Sequence, residues 1–220
     1  MTKKIVFLLI GLFLLTAVAE AQQTKRQAKK AAKLSAKAQN AQRARAIFDE
    51  AYDKVFGEQG SSLTYNVNII GLYKTAGNIV FKGKKSHFTD SKVDSYNDGV
   101  TAYMCYRKKK VVEIHNANSD KKDKHSGKFK FELSDFDYSM ESEDGLTMIK
   151  LKQRKSAKGT IKEVKAYLNP NTLAPVKLRI KVAFFWTTVK ISNFKSGGIS
   201  DAVFKFPREK YRDYEFEDKR

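Results

Sequence analysis

The residues able to do covalent or metal chemistry are few and scattered. They are His87, His115, His125, the single cysteine Cys105, and two acidic clusters, "DFD" at 135–137 and "ESED" at 141–144. A metal centre needs imidazoles and carboxylates gathered at ligand spacing, and a catalytic thiol needs a nearby base to lower its pKa. Neither pattern occurs. His125 falls in the hydrophilic "SDKKDKHSGK", His115 ends "VVEIHN", and His87 lies among lysines in "KGKKSHF". Cys105 sits in the aromatic "TAYMCYR" and reads as a small buried hydrophobe. The acidic clusters are typical of turns and loops. A phosphate-cradling glycine loop, a His-Glu-x-x-His helix, a cysteine pair and a nucleophile elbow are all missing from the sequence. The expectation is a protein that is not an enzyme, with no catalytic or metal-ligating residues and no cofactor.

The charge raises a different possibility. The chain carries a formal net charge of +19, and "QQTKRQAKKAAKLSAKAQNAQRARA" (22–46) holds eight Lys or Arg and no acid. Clustered cations are the usual footprint of a nucleic-acid-binding protein. The preceding segment points elsewhere. "TKKIVFLLIGLFLLTAVAEA" has Lys3 and Lys4, an apolar run from Ile5 to Leu15, and Ala19-Glu20-Ala21, the layout of a secretory signal. Its apolar run is shorter than the roughly 20 residues of a membrane-spanning helix. Residues 1–21 are therefore expected to be a signal peptide cleaved after Ala21, delivering the protein to the periplasm. There the cations would meet anionic lipid head groups, at about 1 kcal/mol each near a charged leaflet. With no nucleic acid as partner, the Ala/Lys/Gln-rich extension at 22–45 is expected to face an anionic membrane surface. A single Cys forms no internal disulfide, so the exported domain must hold itself by core burial.

From Arg45 the pattern changes. Ile47, Phe48, Ala51, Tyr52, Val55 and Phe56 recur at spacings of three and four, predicting an amphipathic helix stopped by Gly57. Beyond Gly60 the period switches to two. "LTYNVNIIGLY" alternates, and in "PVKLRIKVAFF" Val176, Leu178, Ile180, Val182 and Phe184 face one way, Lys177, Arg179 and Lys181 the other. Further strands are expected near 77–82, 86–90, 100–106, 110–115, 128–133, 146–153, 160–168, 187–194 and 202–206. Turn signals at "NDG", "EDG", "NPNT" and "SGG" lie between them. The fold class predicted is mainly β with α: a curved antiparallel sheet forming an incomplete β-barrel, covered by the N-terminal helix. The strand aromatics either fill a compact core or leave an apolar cavity for a lipid-like ligand.

With the strands placed, residues 46–220 resemble the periplasmic outer-membrane lipoprotein carrier family (LolA-like). The helix feeding a long first strand, "AIFDEAYDKVFG…LTYNVNIIG", carries the resemblance, followed by "GNIVFKGKKSHF", the "NDGVTAYMCY" hairpin, and the closing "ISDAVFKFPREKYRDYEFEDKR" with Asp201, Phe204, Phe206 and Pro207. The resemblance implies a monomeric carrier, or chaperone, that shields the acyl chains of lipoproteins or lipids in a half-barrel cavity during protein transport and outer-membrane biogenesis. It also implies an inner-membrane lipoprotein-releasing transporter and an outer-membrane acceptor as partners. By alternation the cavity lining is expected to be Tyr65, Val67, Ile69, Phe88, Tyr103, Leu178, Ile180, Val182, Phe184, Val189, Ile191, Phe204 and Phe206. The alternative is a non-catalytic periplasmic scaffold or regulatory module that binds a protein partner through the same fold.

Overall fold

The structure is a computed structural model that describes residues 2–69, 73–119 and 132–220, with side chains left aside for 2–25, Asn68, Ile69 and Tyr73. It divides into two compact units, residues 1–42 and residues 43–220. The first is helical throughout its described part, as the first section of α1 (Thr2–Phe56). Among the described residues no helix is long and apolar enough to cross a membrane.

The second unit holds the last turns of α1 and twelve strands: β1 (Ser61–Ile69), β2 (Tyr73–Lys82), β3 (Lys85–Asp90), β4 (Val93–Asn97), β5 (Thr101–Tyr106), β6 (Val111–Asn116), β7 (Phe136–Glu143), β8 (Leu146–Gln153), β9 (Ile161–Leu168), β10 (Pro175–Val182), β11 (Phe185–Ser196) and β12 (Glu215–Asp218). They form one open sheet in the order β12-β6-β5-β4-β3-β2-β1-β11-β10-β9-β8-β7. Two antiparallel meanders, β1 to β6 and β7 to β11, are joined edge to edge where β1 pairs with β11. β12 returns to pair with β6 in parallel. The sheet ends at β7 and β12 and does not close, so the incomplete barrel with a covering helix is the architecture observed.

Gly60 fixes the corner between helix and sheet. It adopts φ +74°, and a Cβ there would lie 2.7 Å from the Phe81 carbonyl oxygen. Its own carbonyl accepts from the Gly197 N–H at 2.7 Å, tying the start of β1 to the end of β11. Only glycine combines that φ with that clearance.

The core has two parts. One lies between α1 and the second meander, with Ala44, Ala51, Phe136, Ile149, Leu151, Ile161, Val164, Ala166 and Leu168 buried. The other groups Tyr96, Cys105, Val112 and Tyr211, with Tyr103, Phe206, Tyr214 and Phe216 packed on them. It forms because the C-terminal segment folds back over β4, β5 and β6, laying the Phe206 ring on Tyr103 at 4.2 Å and 7°.

Several sequence expectations meet a different outcome here. Residues 202–206 do not form a strand. Asp201–Phe204 is a 3-10 turn, started by the Ser200 hydroxyl accepting from the Ala202 N–H at 3.3 Å. Pro207 then removes a backbone donor that a ladder would need. In the region expected to be a strand at 128–133, Leu133–Asp135 is a 3-10 turn, and 128–131 lie outside the described residues. β4, β7 and β12 were not separately expected. In β7 the acids are not turn residues: Asp137, Glu141 and Glu143 lie within the strand, with Phe136, Tyr138 and Met140 on the core side. The loop containing His125 also lies outside the described residues.

Cys105 has no solvent exposure, and burial pushes its thiol up to about 12. A thiol held protonated and covered does not react. Labelling with a disulfide reagent at pH 8 should therefore proceed only after denaturation; stoichiometric labelling of the native chain would contradict the packing around Cys105.

Candidate functional site

A half-open cavity of about 590 Å³ lies between the last turns of α1 and the sheet. Its helical wall is Phe48, Ala51, Tyr52, Val55 and Phe56, one face at the three-and-four spacing. Its sheet wall comes from inward positions of six strands: Leu63 and Tyr65 on β1, Ile79 and Phe81 on β2, Phe88 on β3, Ile161, Val164, Ala166 and Leu168 on β9, Pro175, Leu178 and Ile180 on β10, and Val189 and Ile191 on β11. Among the described residues nineteen line it, all uncharged, and only the two tyrosine hydroxyls are polar side-chain groups.

Aromatic pairs stiffen the rim of this space. Phe56 meets Phe81 edge-on at 4.6 Å, Tyr52 lies 4.6 Å from Phe56, and Tyr65 stacks on Phe88 at 5.5 Å. Such pairs contribute about 0.5–1.5 kcal/mol each beyond area burial and hold rings in place around a void. The volume lies within the roughly 300–1,000 Å³ of small-molecule sites. Sealed and empty, it would cost about 24 cal/mol per Å³, or about 14 kcal/mol, as much as a whole domain's stability. An opening lets an apolar ligand enter instead. A wall this apolar can hold hydrocarbon.

The sequence-expected lining residues divide. Tyr65, Phe88, Leu178, Ile180, Val189 and Ile191 are brought together around the cavity. Val67 is half-buried further along β1, Val182 packs against the first core opposite Ile161, and the Ile69 side chain lies outside those described. Tyr103 lies on the sheet face opposite Phe88, beside Tyr96, and there Phe206 of the returning C-terminal segment stacks on it in the second core. Phe204 is buried in the 3-10 turn against β3. Phe184 stands 89% exposed at the β10–β11 turn, where Ala183 has φ +51° and the strand ends.

The helix face and β9 were missed as lining. "IKEVKAYL" carried the signal, with Val164, Ala166 and Leu168 at period two. Val176 falls on the solvent side and Pro175 on the cavity side, because a register irregularity between Pro175 and Lys177 shifts the phase of β10.

A polar cluster lies away from the cavity. The buried Asp94 carboxylate accepts from Arg107 Nη2 at 2.6 Å, Tyr211 Oη at 2.6 Å, Lys210 Nζ at 3.0 Å and the Thr89 hydroxyl. Burial alone would raise its pKa, but the four donors outweigh that and hold it well below the usual carboxylate range. Nearby, the His87 ring stacks on Tyr96 at 4.2 Å, and burial pushes its pKa down. The cluster anchors the returning C-terminal segment to β3, β4 and β5; Asp94 is fully committed to these four donors. Among the described residues no group of three or more His, Cys, Asp or Glu is placed to hold a metal ion.

No protein-family model and no curated protein matches this sequence. Solved structures do. The chain is similar in fold to a putative outer membrane lipoprotein-sorting protein domain from Vibrio parahaemolyticus (9% identity, TM-score 0.40, 79% of this chain and 100% of that one). It is similar to a LolA superfamily protein from Nitrosomonas europaea (12% identity, TM-score 0.36, 74% and 97%). It is also similar to a chain of the Pseudomonas aeruginosa MucA/MucB complex (11% identity, TM-score 0.44, 74% and 61%). These likenesses are of fold alone.

Proposed function

We propose that this chain is an exported, non-enzymatic carrier that shelters the acyl chains of a lipoprotein or lipid in its half-open cavity. In this reading residues 1–21 direct export and are removed after Ala21, and the folded unit works in the periplasm. Cargo is received from an inner-membrane releasing transporter and delivered to an outer-membrane acceptor. The observation that carries the reading is the cavity itself: about 590 Å³, half-open, and lined among the described residues by uncharged, predominantly apolar side chains. Each methylene taken from water into such a space is worth about 0.8 kcal/mol, so a dozen can hold a chain with no directional contact.

The test is displacement of a fluorescent acyl probe. The carrier should bind the probe saturably at one per chain and release it to a triacylated lipopeptide, while the deacylated peptide competes at least a hundredfold less well. No saturable probe binding would leave the scaffold alternative, with the apolar face as ordinary packing.

A further inference from the structure

The β10–β11 hairpin ends in a feature that the cavity does not use. Phe184 is 89% exposed and Phe185 73% exposed, side by side at the turn. Two phenylalanine rings held in water at one tip are costly unless something covers them. Directly behind them is Trp186, the only tryptophan in the chain, half-buried, with the Arg179 guanidinium 4.9 Å from its ring centroid and the Lys181 ammonium at 6.0 Å. The solvent face of the same strands carries Lys177, Arg179 and Lys181 on β10, Lys165 on β9 and Lys190 on β11. The carboxylates facing this group are Glu163, opposite Lys181, and Glu143, 3.9 Å from Lys165. Cations outnumber acids on this surface.

We infer that the β10–β11 hairpin is a membrane-docking tip, which seats Phe184 and Phe185 among the acyl chains of an anionic bilayer. Trp186 then lies at head-group depth, with Arg179 and Lys181 on lipid phosphates. The order of chemistry along the hairpin matches the order of chemistry through a leaflet: apolar rings at the end, an amphipathic indole next, cations behind. A free anion or a nucleic acid would use the cations and leave the two phenylalanines in water. A bilayer uses both. On β10 the inward residues are Leu178 and Ile180, which line the cavity, and Val182; the chain turns at Ala183, beyond which Phe184 and Phe185 stand exposed. Docking itself does not depend on what the cavity holds.

Trp186 reports on this directly. Vesicles of phosphatidylglycerol and phosphatidylcholine should shift its emission to the blue, and brominated acyl chains should quench it. The variant F184S/F185S, altered only at exposed positions, should bind these vesicles at least tenfold more weakly with unchanged thermal stability. Replacing Arg179 and Lys181 with glutamine should weaken binding at low salt and flatten its salt dependence. A chain that binds vesicles with Trp186 emission unshifted attaches elsewhere, for instance through residues 22–45, and overturns the inference. So does equal binding to purely zwitterionic vesicles, or F184S/F185S binding within twofold of the unaltered chain. A chain with its cavity filled by Ala166→Phe should still dock, so loss of docking and loss of acyl binding are separable results.

Discussion

The variant Ala166→Phe is expected to lose acyl binding by about a hundredfold while keeping or gaining thermal stability. Ala166 lies on β9 opposite Ile149 on β8 and Leu178 on β10, and its methyl faces the cavity. A phenyl ring there occupies the space of about four methylenes of a bound chain. At about 0.8 kcal/mol each, that is about 3 kcal/mol, or about two factors of ten. In a solidly packed core the same change would overfill and destabilise by about 1–3 kcal/mol. The two accounts thus differ in the sign of the stability change as well as in binding. Leu178→Trp, which enters from the neighbouring strand, gives the same discrimination should the first variant fold poorly. A lowered melting temperature with unchanged probe affinity in both variants would mean that the cavity does not hold the ligand.

The second large effect is at Asp94. Replacing it with alanine is expected to destabilise the fold by about 3–5 kcal/mol, the usual result of removing one side of a buried ion pair. Arg107, Lys210 and the Tyr211 hydroxyl all lose their acceptor, and the segment they tether carries Phe206 onto Tyr103. The cluster also sets an acid response. Because the folded carboxyl titrates below its unfolded value of about 3.9, its contribution is complete above about pH 4. It is lost as pH falls from there through the folded pKa. Urea unfolding between pH 3 and pH 7 should show a smaller drop in stability for Asp94→Asn than for the unaltered chain. Parallel pH profiles would show that Asp94 is not the group responsible.

The strands whose one-sided alternation survives folding were the legible part of this protein. Leu63 and Tyr65 on β1, and Val164, Ala166 and Leu168 on β9, recur at period two, and the α1 face from Phe48 to Phe56 declares itself at three and four. From these the open sheet under a helix could be read; the six expected residues found around the cavity came from alternation in β1, β3, β10 and β11. Legibility stopped where a local irregularity or a long-range return intervened. The irregularity beside Pro175 exchanges the faces of Pro175 and Val176, and periodicity has no term for an inserted residue. Phe184 continues the alternation of β10 arithmetically, but Ala183 has already turned the chain. Tyr103 shares its face with Tyr96 and His87, opposite the Phe88 face that lines the cavity, and Phe206 reaches it from outside any strand. The returning C-terminal segment covers that face, a tertiary fact that no local spacing encodes. β7 was hidden because its acids, Asp137, Glu141 and Glu143, resemble turn residues when the partner strand is unknown.

Carriage of acyl chains in the apolar space beneath the last turns of α1 leaves a signature in mass. Native mass spectrometry of the chain recovered from cells without detergent tests it most directly. A chain beginning at Gln22 should carry adducts of lipid or lipoprotein mass, absent from the Ala166→Phe variant recovered in the same way. A bare chain that also takes up no triacylated lipopeptide added in solution would contradict it.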